Sequence, residues 1–182
     1  MIAYLEGKII LKSINSLILK VNGIGYKVFV TNEILMTVQE NKTLELFIFN
    51  NIKEDCSDLY GFLNGEQLNL FEKLISVNKV GPKSALNIMN LGYKEVVDAI
   101  NTQNVSFLTK ASGLGKKGAE RIILELAGKL VIETPTTAIE EDAILALETL
   151  GYERKHITDV LKTKPENIQD IESTVKYFLQ NI

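Results

Sequence analysis

The chain has 182 residues, 46% of them hydrophobic and 24% charged, a composition typical of globular proteins rather than of disordered ones. No apolar run approaches the roughly 18 residues that a membrane span needs, and the N-terminus lacks a signal-peptide pattern, so we expect a cytoplasmic protein with no membrane partner. The single Cys56 excludes an internal disulfide, and with only His156 beside it no zinc-ligand cluster and no cofactor are expected.

The charge is distributed unevenly, although the formal net charge is only −3. Residues 1–63 carry 6 basic and 7 acidic side chains, residues 64–130 carry 9 and 6, and residues 131–182 carry 5 and 10. A basic centre is therefore followed by an acidic C-terminal part. Only the centre has the charge expected of a surface that binds nucleic acid.

The N-terminal part is predicted to form short strands, because apolar and polar residues alternate between turn-forming residues. The predicted strands are 3–12, 16–21, 26–30, 44–49 and 59–62. Closely spaced strands of this kind favour a five-stranded OB-like β-barrel over residues 1–63. A plain meander sheet is the alternative.

From Glu66 the apolar period changes to that of an α-helix, so residues 64–132 are predicted to form an all-helical domain. The predicted helices are 66–77, 82–92, 94–100, 105–111 and 116–131. Pro82 suits the first position of a helix, where a missing N–H costs nothing, and Gly92 suits a helix end.

Residues 133–138 are predicted to be a linker, and residues 139–182 a small three-helix bundle. The bundle helices are 139–150, 154–162 and 168–179. Its expected core comprises Ile144, Leu147, Leu150, Ile157, Val160, Leu161, Ile171, Val175 and Phe178. So small a core should make this unit marginally stable alone, within a chain of the α+β multidomain class.

One pattern occurs twice in the predicted helical domain, with an offset of 34 residues. Each copy is an apolar helix end, a short turn, a glycine, a lysine two residues on and an alanine four residues on. The paired positions are Leu74/Leu108, Val80/Leu114, Gly81/Gly115, Lys83/Lys117, Ala85/Ala119 and Ile88/Ile122. The repeat predicts two helix-turn-helix corners of matching geometry.

These corners have the features of a phosphate-binding site. A helix N-terminus offers unpaired N–H groups and a partial positive charge, and a preceding glycine lets a phosphate approach the main chain. The candidate phosphate-binding residues are Lys79, Val80, Gly81, Lys83, Ser84, Gly113, Leu114, Gly115, Lys116 and Lys117. Such contacts do not distinguish bases, so they predict sequence-independent DNA binding. Two ordinary helix corners are the alternative.

Two nucleotide-binding motifs are excluded. Residues 113–118 match the dinucleotide fingerprint, but a helix rather than a strand is predicted before them. A Walker A loop would need glycine at position 110, which is Lys110. We therefore expect no catalysis by this chain. A repair glycosylase or nuclease, and a general duplex-binding accessory protein, are the rival interpretations.

Glu54 and Asp55 lie between the fourth and fifth predicted strands, at the tip of a hairpin. From composition alone, a solvated pair of acids is the ordinary interpretation.

The chain resembles the RuvA family of Holliday-junction-binding proteins. The resemblance rests on Met1-Ile2, residues 21–26, Glu54-Asp55 with residues 59–62, both hairpins, residues 119–121 and Leu150-Gly151-Tyr152. It implies an OB-like barrel, a tandem helix-hairpin-helix domain and a UBA-like third bundle. It also implies a homotetramer, or two tetramers, on four-way junction DNA, with a RuvB-type hexameric ATPase and a RuvC-type resolvase as partners in recombination and repair.

The same resemblance implies roles for particular residues. Glu54 and Asp55 would form an acidic pin facing the centre of the junction. The candidate motor-docking residues of the third domain are Leu147, Leu150, Gly151 and Tyr152. Lys79 departs from the family pattern, which has glycine there, so it could either strain the first turn or add a phosphate contact.

Overall fold

The structure is a computed structural model that describes residues 1–54, 56–130, 138–161, 163–165, 168 and 170–181. The chain divides into two compact units, Met1–Ile132 and Glu133–Ile182. Within the described ranges, no helix is long and apolar enough to cross a membrane. The predicted linker at 133–138 lies outside these ranges except for Ala138, which begins a helix.

The N-terminal part of the first unit is a closed β-barrel. Its strands are β1 Tyr4–Lys12, β2 Ser16–Val21, β3 Ile24–Phe29, β4 Thr43–Ile52 and β5 Ser57–Phe62, in the order β1-β2-β3-β5-β4. All neighbouring pairs are antiparallel except β3 and β5, in which Val28 pairs with Leu59 and Phe29 with Tyr60. A meander would pair β3 with β4, so this parallel pair confirms the OB-like barrel over the alternative.

A short helix, α1 Asn32–Thr37, connects β3 and β4 and was not predicted from the sequence. It has six residues, and only Ile34 is buried, so it carries no helical apolar period. Ile34 packs into the barrel core together with Leu5, Ile9, Leu17, Leu19, Val28, Val30, Leu46, Ile48 and Leu59. The first N–H of α1 donates to the side-chain oxygen of Asn90, in the helical part of the same unit, at 2.8 Å.

The helical part of the first unit follows β5 directly. Its helices are α2 Gly65–Ser76, α3 Pro82–Met89, α4 Tyr93–Asn101, α5 Val105–Leu108 and α6 Lys116–Leu126. Helix α6 ends earlier than position 131, where the sequence placed its end, because Gly128 follows in a left-handed conformation with φ 75°. Gly92, with φ 102°, lies between α3 and α4 as the N-cap of α4.

Phe71 of α2 joins the helices to the barrel. Its fully buried ring lies 5.3 Å from Phe49 on β4, and 5.3 Å from Tyr60 and 4.8 Å from Phe62 on β5. Burial also raises the pKa of the Tyr60 hydroxyl. These aromatic contacts join the barrel and the helices in a continuous hydrophobic core. The helices that carry the repeated segments therefore pack against the barrel.

The second unit contains α7 Ala138–Thr149, α8 Arg154–Leu161 and α9 Ile171–Gln180. Its core is formed by Ile144, Leu147, Ile157 and Phe178, with Tyr152, Val160, Leu161 and Val175 packed against it. Leu150 and Ile171 were expected in this core, but their side chains are 65% and 41% exposed. Both lie at helix ends, where the inward-facing stripe of the helix no longer reaches the core.

Helix α9 begins with a side-chain cap. The Asp170 carboxylate accepts a hydrogen bond from the main-chain N–H of Ser173 at 2.8 Å. This bond lowers the pKa of the Asp170 carboxyl, because the N–H stabilises the charged form.

Candidate nucleic-acid interface

The two repeated segments form turns of the same type. In Val77–Val80 the last N–H donates to the first carbonyl at 3.0 Å, and in Ala111–Leu114 the same bond is 3.1 Å long. The third residue of each turn has a positive φ, 66° at Lys79 and 82° at Gly113. A bond of this span with a positive φ at that position alone is the signature of a type II turn.

The first hairpin therefore keeps its geometry although Lys79 occupies a glycine-like position. A side chain with a β-carbon in the left-handed region costs about 1–2 kcal/mol. The packing around the turn tolerates this cost, since Val80 is 8% exposed and Ala85 is fully buried.

Each turn leads into a helix whose N-cap is glycine. Gly81 has φ −89° and ψ 169°, and Gly115 has φ −83° and ψ 168°, an extended conformation that any residue adopts. A β-carbon at either position would meet nothing within 4 Å. Neither the backbone nor the packing of this chain requires glycine there.

These helix starts also lack a capping side chain. Helices α2 and α5 are capped by Asn64 and Asn104, which accept main-chain N–H bonds at 2.9 and 3.0 Å. No side chain caps α3 or α6. The main-chain N–H groups of Lys83 and Ser84 in α3, and of Lys116 and Lys117 in α6, thus have no acceptor among the described residues and stay open to one from outside the chain. Pro82 has no N–H, and the N–H of Gly118 donates to the carbonyl of Gly115 at 2.9 Å.

Exposed lysines surround the open helix starts. Lys79, Lys83 and Lys117 are exposed and make no ion pair among the described residues. Lys116 lies 3.9 Å from Glu120, but its side chain is 80% exposed, so this pair is weak. The predicted Ser84 lies in the first turn of α3 and is half-buried.

The third glycine of the fingerprint-like run has a packing role. A β-carbon at Gly118 would lie 2.8 Å from Cδ1 of Leu114. At the equivalent positions the first copy has Val80, which is smaller than leucine, and Ser84, which is larger than glycine.

Two residues to which the sequence analysis gave no role connect the hairpins. The Asn87 side-chain amide on α3 donates to the carbonyl of Ser112 at 3.0 Å. The Arg121 guanidinium on α6 donates to the carbonyl of Asn78 at 3.1 Å. Asn87 and Arg121 are 34 positions apart, as the two copies of the repeat are, and this offset was the one signal in the sequence that could have revealed them. It was not recognised, because a neutral amide in one copy and an arginine in the other do not look like equivalent residues.

The predicted acidic tip, Glu54 and Asp55, falls between β4 and β5 in the chain. Ile52 pairs with Ser57, and the N–H of Lys53 donates to the carbonyl of Cys56 at 2.8 Å, which closes the hairpin. Glu54 is exposed at its end. Asp55 lies outside the described residues.

The candidate docking residues of the second unit separate into buried and exposed ones. Leu147 is fully buried in the core and so is not on the surface, because the inner face of α7 carries it. Leu150 is 65% exposed, and Leu145, which the sequence analysis did not select, is 60% exposed. Tyr152, which follows Gly151, is half-buried with its ring 5.0 Å from Phe178.

Among the residues that the structure describes, no group of three or more His, Cys, Asp or Glu side chains could hold a metal ion.

A closed OB-like barrel followed by two matched helical hairpins defines a multidomain protein of the tandem helix-hairpin-helix class. Residues 1–61 match the family model described as RuvA N terminal domain, and residues 71–127 match the model described as SAM-like Helix-hairpin-helix tandem. The chain belongs to the RuvA family.

Its similarity to curated relatives extends over the full chain. A protein of Halothermothrix orenii is 40% identical over 184 aligned positions, covering 97% of this chain and 94% of the relative. One of Bacillus velezensis is 37% identical, covering 100% and 99%, and one of Limosilactobacillus fermentum is 36% identical, covering 100% and 98%. All three are named Holliday junction branch migration complex subunit RuvA.

Proposed function

We propose that this chain is a non-catalytic, cytoplasmic subunit that binds four-way DNA junctions, holds them open and recruits a separate ATP-driven motor. The names of its full-length relatives support the junction and the branch-migration complex. The activity would serve recombination and DNA repair.

One observation carries the proposal. Two helix starts of the same geometry present open N–H groups, exposed lysines and glycines that the fold itself does not need. A glycine that neither the packing nor the backbone conformation requires is explained if a ligand occupies the space beside it. A phosphate satisfies the N–H groups, the helix dipole and the lysines together, whereas a neutral ligand satisfies only the first. The phosphate contacts proposed from the sequence stay assigned to residues 79–81, 83, 84 and 113–117.

The acidic tip would make the chain prefer junctions to linear duplex. Hairpin contacts to phosphates occur equally on any duplex, so they do not select a branched substrate. Glu54, with Asp55 beside it, would repel phosphates at the crossover and favour an open centre. Several copies around one axis are needed for this effect, which is why we include a homotetramer, or two tetramers, in the proposal.

The second unit is proposed to dock the RuvB-type hexameric ATPase through the exposed Leu150 and the Gly151-Tyr152 turn that follows it, and through the exposed Leu145 of α7. With Leu147 in the core, its contribution would be to hold α7 in place. A RuvC-type resolvase is proposed as a further partner.

The phosphate contacts are tested by replacing Lys83 and Lys117 with glutamate together and measuring junction affinity over a series of salt concentrations. Each phosphate contact contributes about 0.9 to the slope of log affinity against log salt, so loss of two should lower the slope by about 1.8. Affinity at low salt should fall steeply. Fluorescence anisotropy with a labelled synthetic four-way junction gives both quantities.

The matched control is the double replacement of Lys94 and Lys176 with glutamate. Both are exposed and lie outside the hairpins, and this variant has the same change of net charge. The salt slope of the control should differ from that of the parent chain by less than about 0.9, the contribution of one phosphate contact. Equal slopes for the two double variants would contradict the phosphate assignment.

A further inference from the structure

The two bonds between the hairpins are related by the internal repeat. Asn87 and Arg121 differ by 34 positions, and so do the residues whose carbonyls they bind, Ser112 and Asn78. Each hairpin therefore donates from its second helix to the equivalent carbonyl in the turn of the other. Two different side chains, an amide and a guanidinium, make the same reciprocal bond.

The accepting carbonyls occupy a particular place in the turns. The carbonyl of Asn78 belongs to the central peptide of the turn Val77–Val80, and that of Ser112 to the central peptide of Ala111–Leu114. Type I and type II turns differ by a flip of this peptide. A donor fixed in front of the carbonyl thus stabilises the type II form, which places the next residue in the left-handed region.

The orientation of the carbonyl also fixes the N–H on the other side of the same peptide. In a planar trans peptide the two groups point in opposite directions. The N–H groups of Lys79 and Gly113 therefore point away from the donors that hold the carbonyls. Neither N–H has a protein acceptor among the described residues.

We propose that Asn87 and Arg121 are positioning residues that lock both turns into the phosphate-binding form and fix the spacing between them. This proposal rests on the proposed function and adds to it that the two hairpins bind phosphates as one unit, because each turn is held by the helix of the other. Asn87 carries no charge and acts only through the Ser112 peptide. The hydrogen bond from Arg121 to Asn78 is the more important of the two, because it holds the first turn, in which the left-handed conformation of Lys79 is strained.

The test uses Asn87→Ala in the full chain, with a labelled synthetic four-way junction as the probe. Loss of one hydrogen bond should weaken junction binding roughly two- to tenfold. The salt slope should stay unchanged, since no phosphate contact is removed. Amide hydrogen exchange in the free protein should become faster in the turn Ala111–Leu114.

The matched control is Asn101→Ala. Asn101 donates to the carbonyl of Leu130 at 3.0 Å, the same kind of bond in the same unit, and it lies outside both hairpins. We expect Asn101→Ala to leave junction affinity unchanged. If Asn87→Ala does not fold, Asn87→Leu keeps a side chain of similar volume and removes the donor without adding a charge, and the same weakening is expected.

Arg121 needs a separate comparison because its charge could bind phosphate directly. Arg121→Met keeps the length of the side chain and removes both donor and charge, whereas Arg121→Lys keeps a donor. As a positioning residue, Arg121→Met weakens binding at an unchanged slope, and Arg121→Lys restores most of the affinity. A slope lower by about 0.9 in Arg121→Met would assign Arg121 to a phosphate contact instead.

Unchanged affinity in both Asn87→Ala and Arg121→Met, with the parent chain still binding the junction, would overturn this inference and leave the proposed function intact. Failure of the parent chain to bind the junction would reject the proposed function itself.

Discussion

The left-handed conformation of Lys79 distinguishes the first hairpin from the second. The equivalent Gly113 adopts a similar φ without a β-carbon, so only the first turn is strained. A lysine kept in such a position supplies something that glycine does not. The positive charge next to the open start of α3 is that contribution in our account.

Replacing Lys79 with glycine should therefore have two opposite effects. The free energy of unfolding should rise by about 1 kcal/mol as the strain is removed, and the salt slope of junction binding should fall by up to about 0.9. Thermal melts and anisotropy titrations measure the two effects. Lys79→Asn should be intermediate in stability, since asparagine tolerates this region better. A Lys79→Ala variant more stable than Lys79→Gly would contradict the role of strain.

At the residue scale, the sequence shows some functional features and hides others. Gly81, Gly115, Lys83 and Lys117 could be found because their spacing repeats. Asn87 and Arg121 could not, because their shared role depends on which carbonyl each reaches in three dimensions. Leu147 shows a further limit: periodicity correctly predicted it in the core, whereas the docking role that the resemblance implied for it does not fit a fully buried side chain.

At the scale of the element, the N-terminus of α6 combines weak internal capping with an open surface. Serine is a better N-cap than glycine by a few tenths of a kcal/mol. The chain uses glycine in both copies, although nothing in the fold excludes serine. Both helix starts are therefore slightly less stable than they would be with serine as the N-cap.

Gly115→Ser should increase stability slightly and weaken junction binding, because its hydroxyl would occupy the N–H groups and the space of the phosphate. Gly61→Ala is the contrasting variant. A β-carbon there would lie 2.7 Å from Val28 and 2.8 Å from Leu46, so overpacking should destabilise the barrel by about 1–3 kcal/mol. The folded fraction of this variant should still bind the junction. Unchanged junction affinity in Gly115→Ser would show that no phosphate sits at that helix start.

The predictability of elements follows from their burial patterns. The barrel strands and the longer helices were visible because each alternates or repeats against a large core. Helix α1 was missed because a single buried residue gives no period. The pairing of β3 with β5 was implied only by the predicted OB-like class, since alternation specifies the inward face of a strand and not its neighbour.

At the scale of the whole molecule, both hairpins belong to the compact unit Met1–Ile132. A chain ending at Ile132 should bind a four-way junction with the affinity and salt slope of the full chain. It should no longer stimulate a RuvB-type ATPase, because the acidic second unit is absent. Titration of the junction and an ATPase assay with the partner motor measure the two activities. Loss of junction binding in a truncated chain that melts cooperatively would place DNA contacts in the second unit.

We propose that the chain recognises a branched structure and not DNA in general. A direct measurement is competition between a labelled four-way junction and unlabelled linear duplex of the same sequence, at one salt concentration, with the full chain. We expect the duplex to compete poorly and the unlabelled junction to compete well. Equal competition by the two would contradict the claim and leave a general duplex-binding protein, and cleavage of the junction without any partner would identify an enzyme.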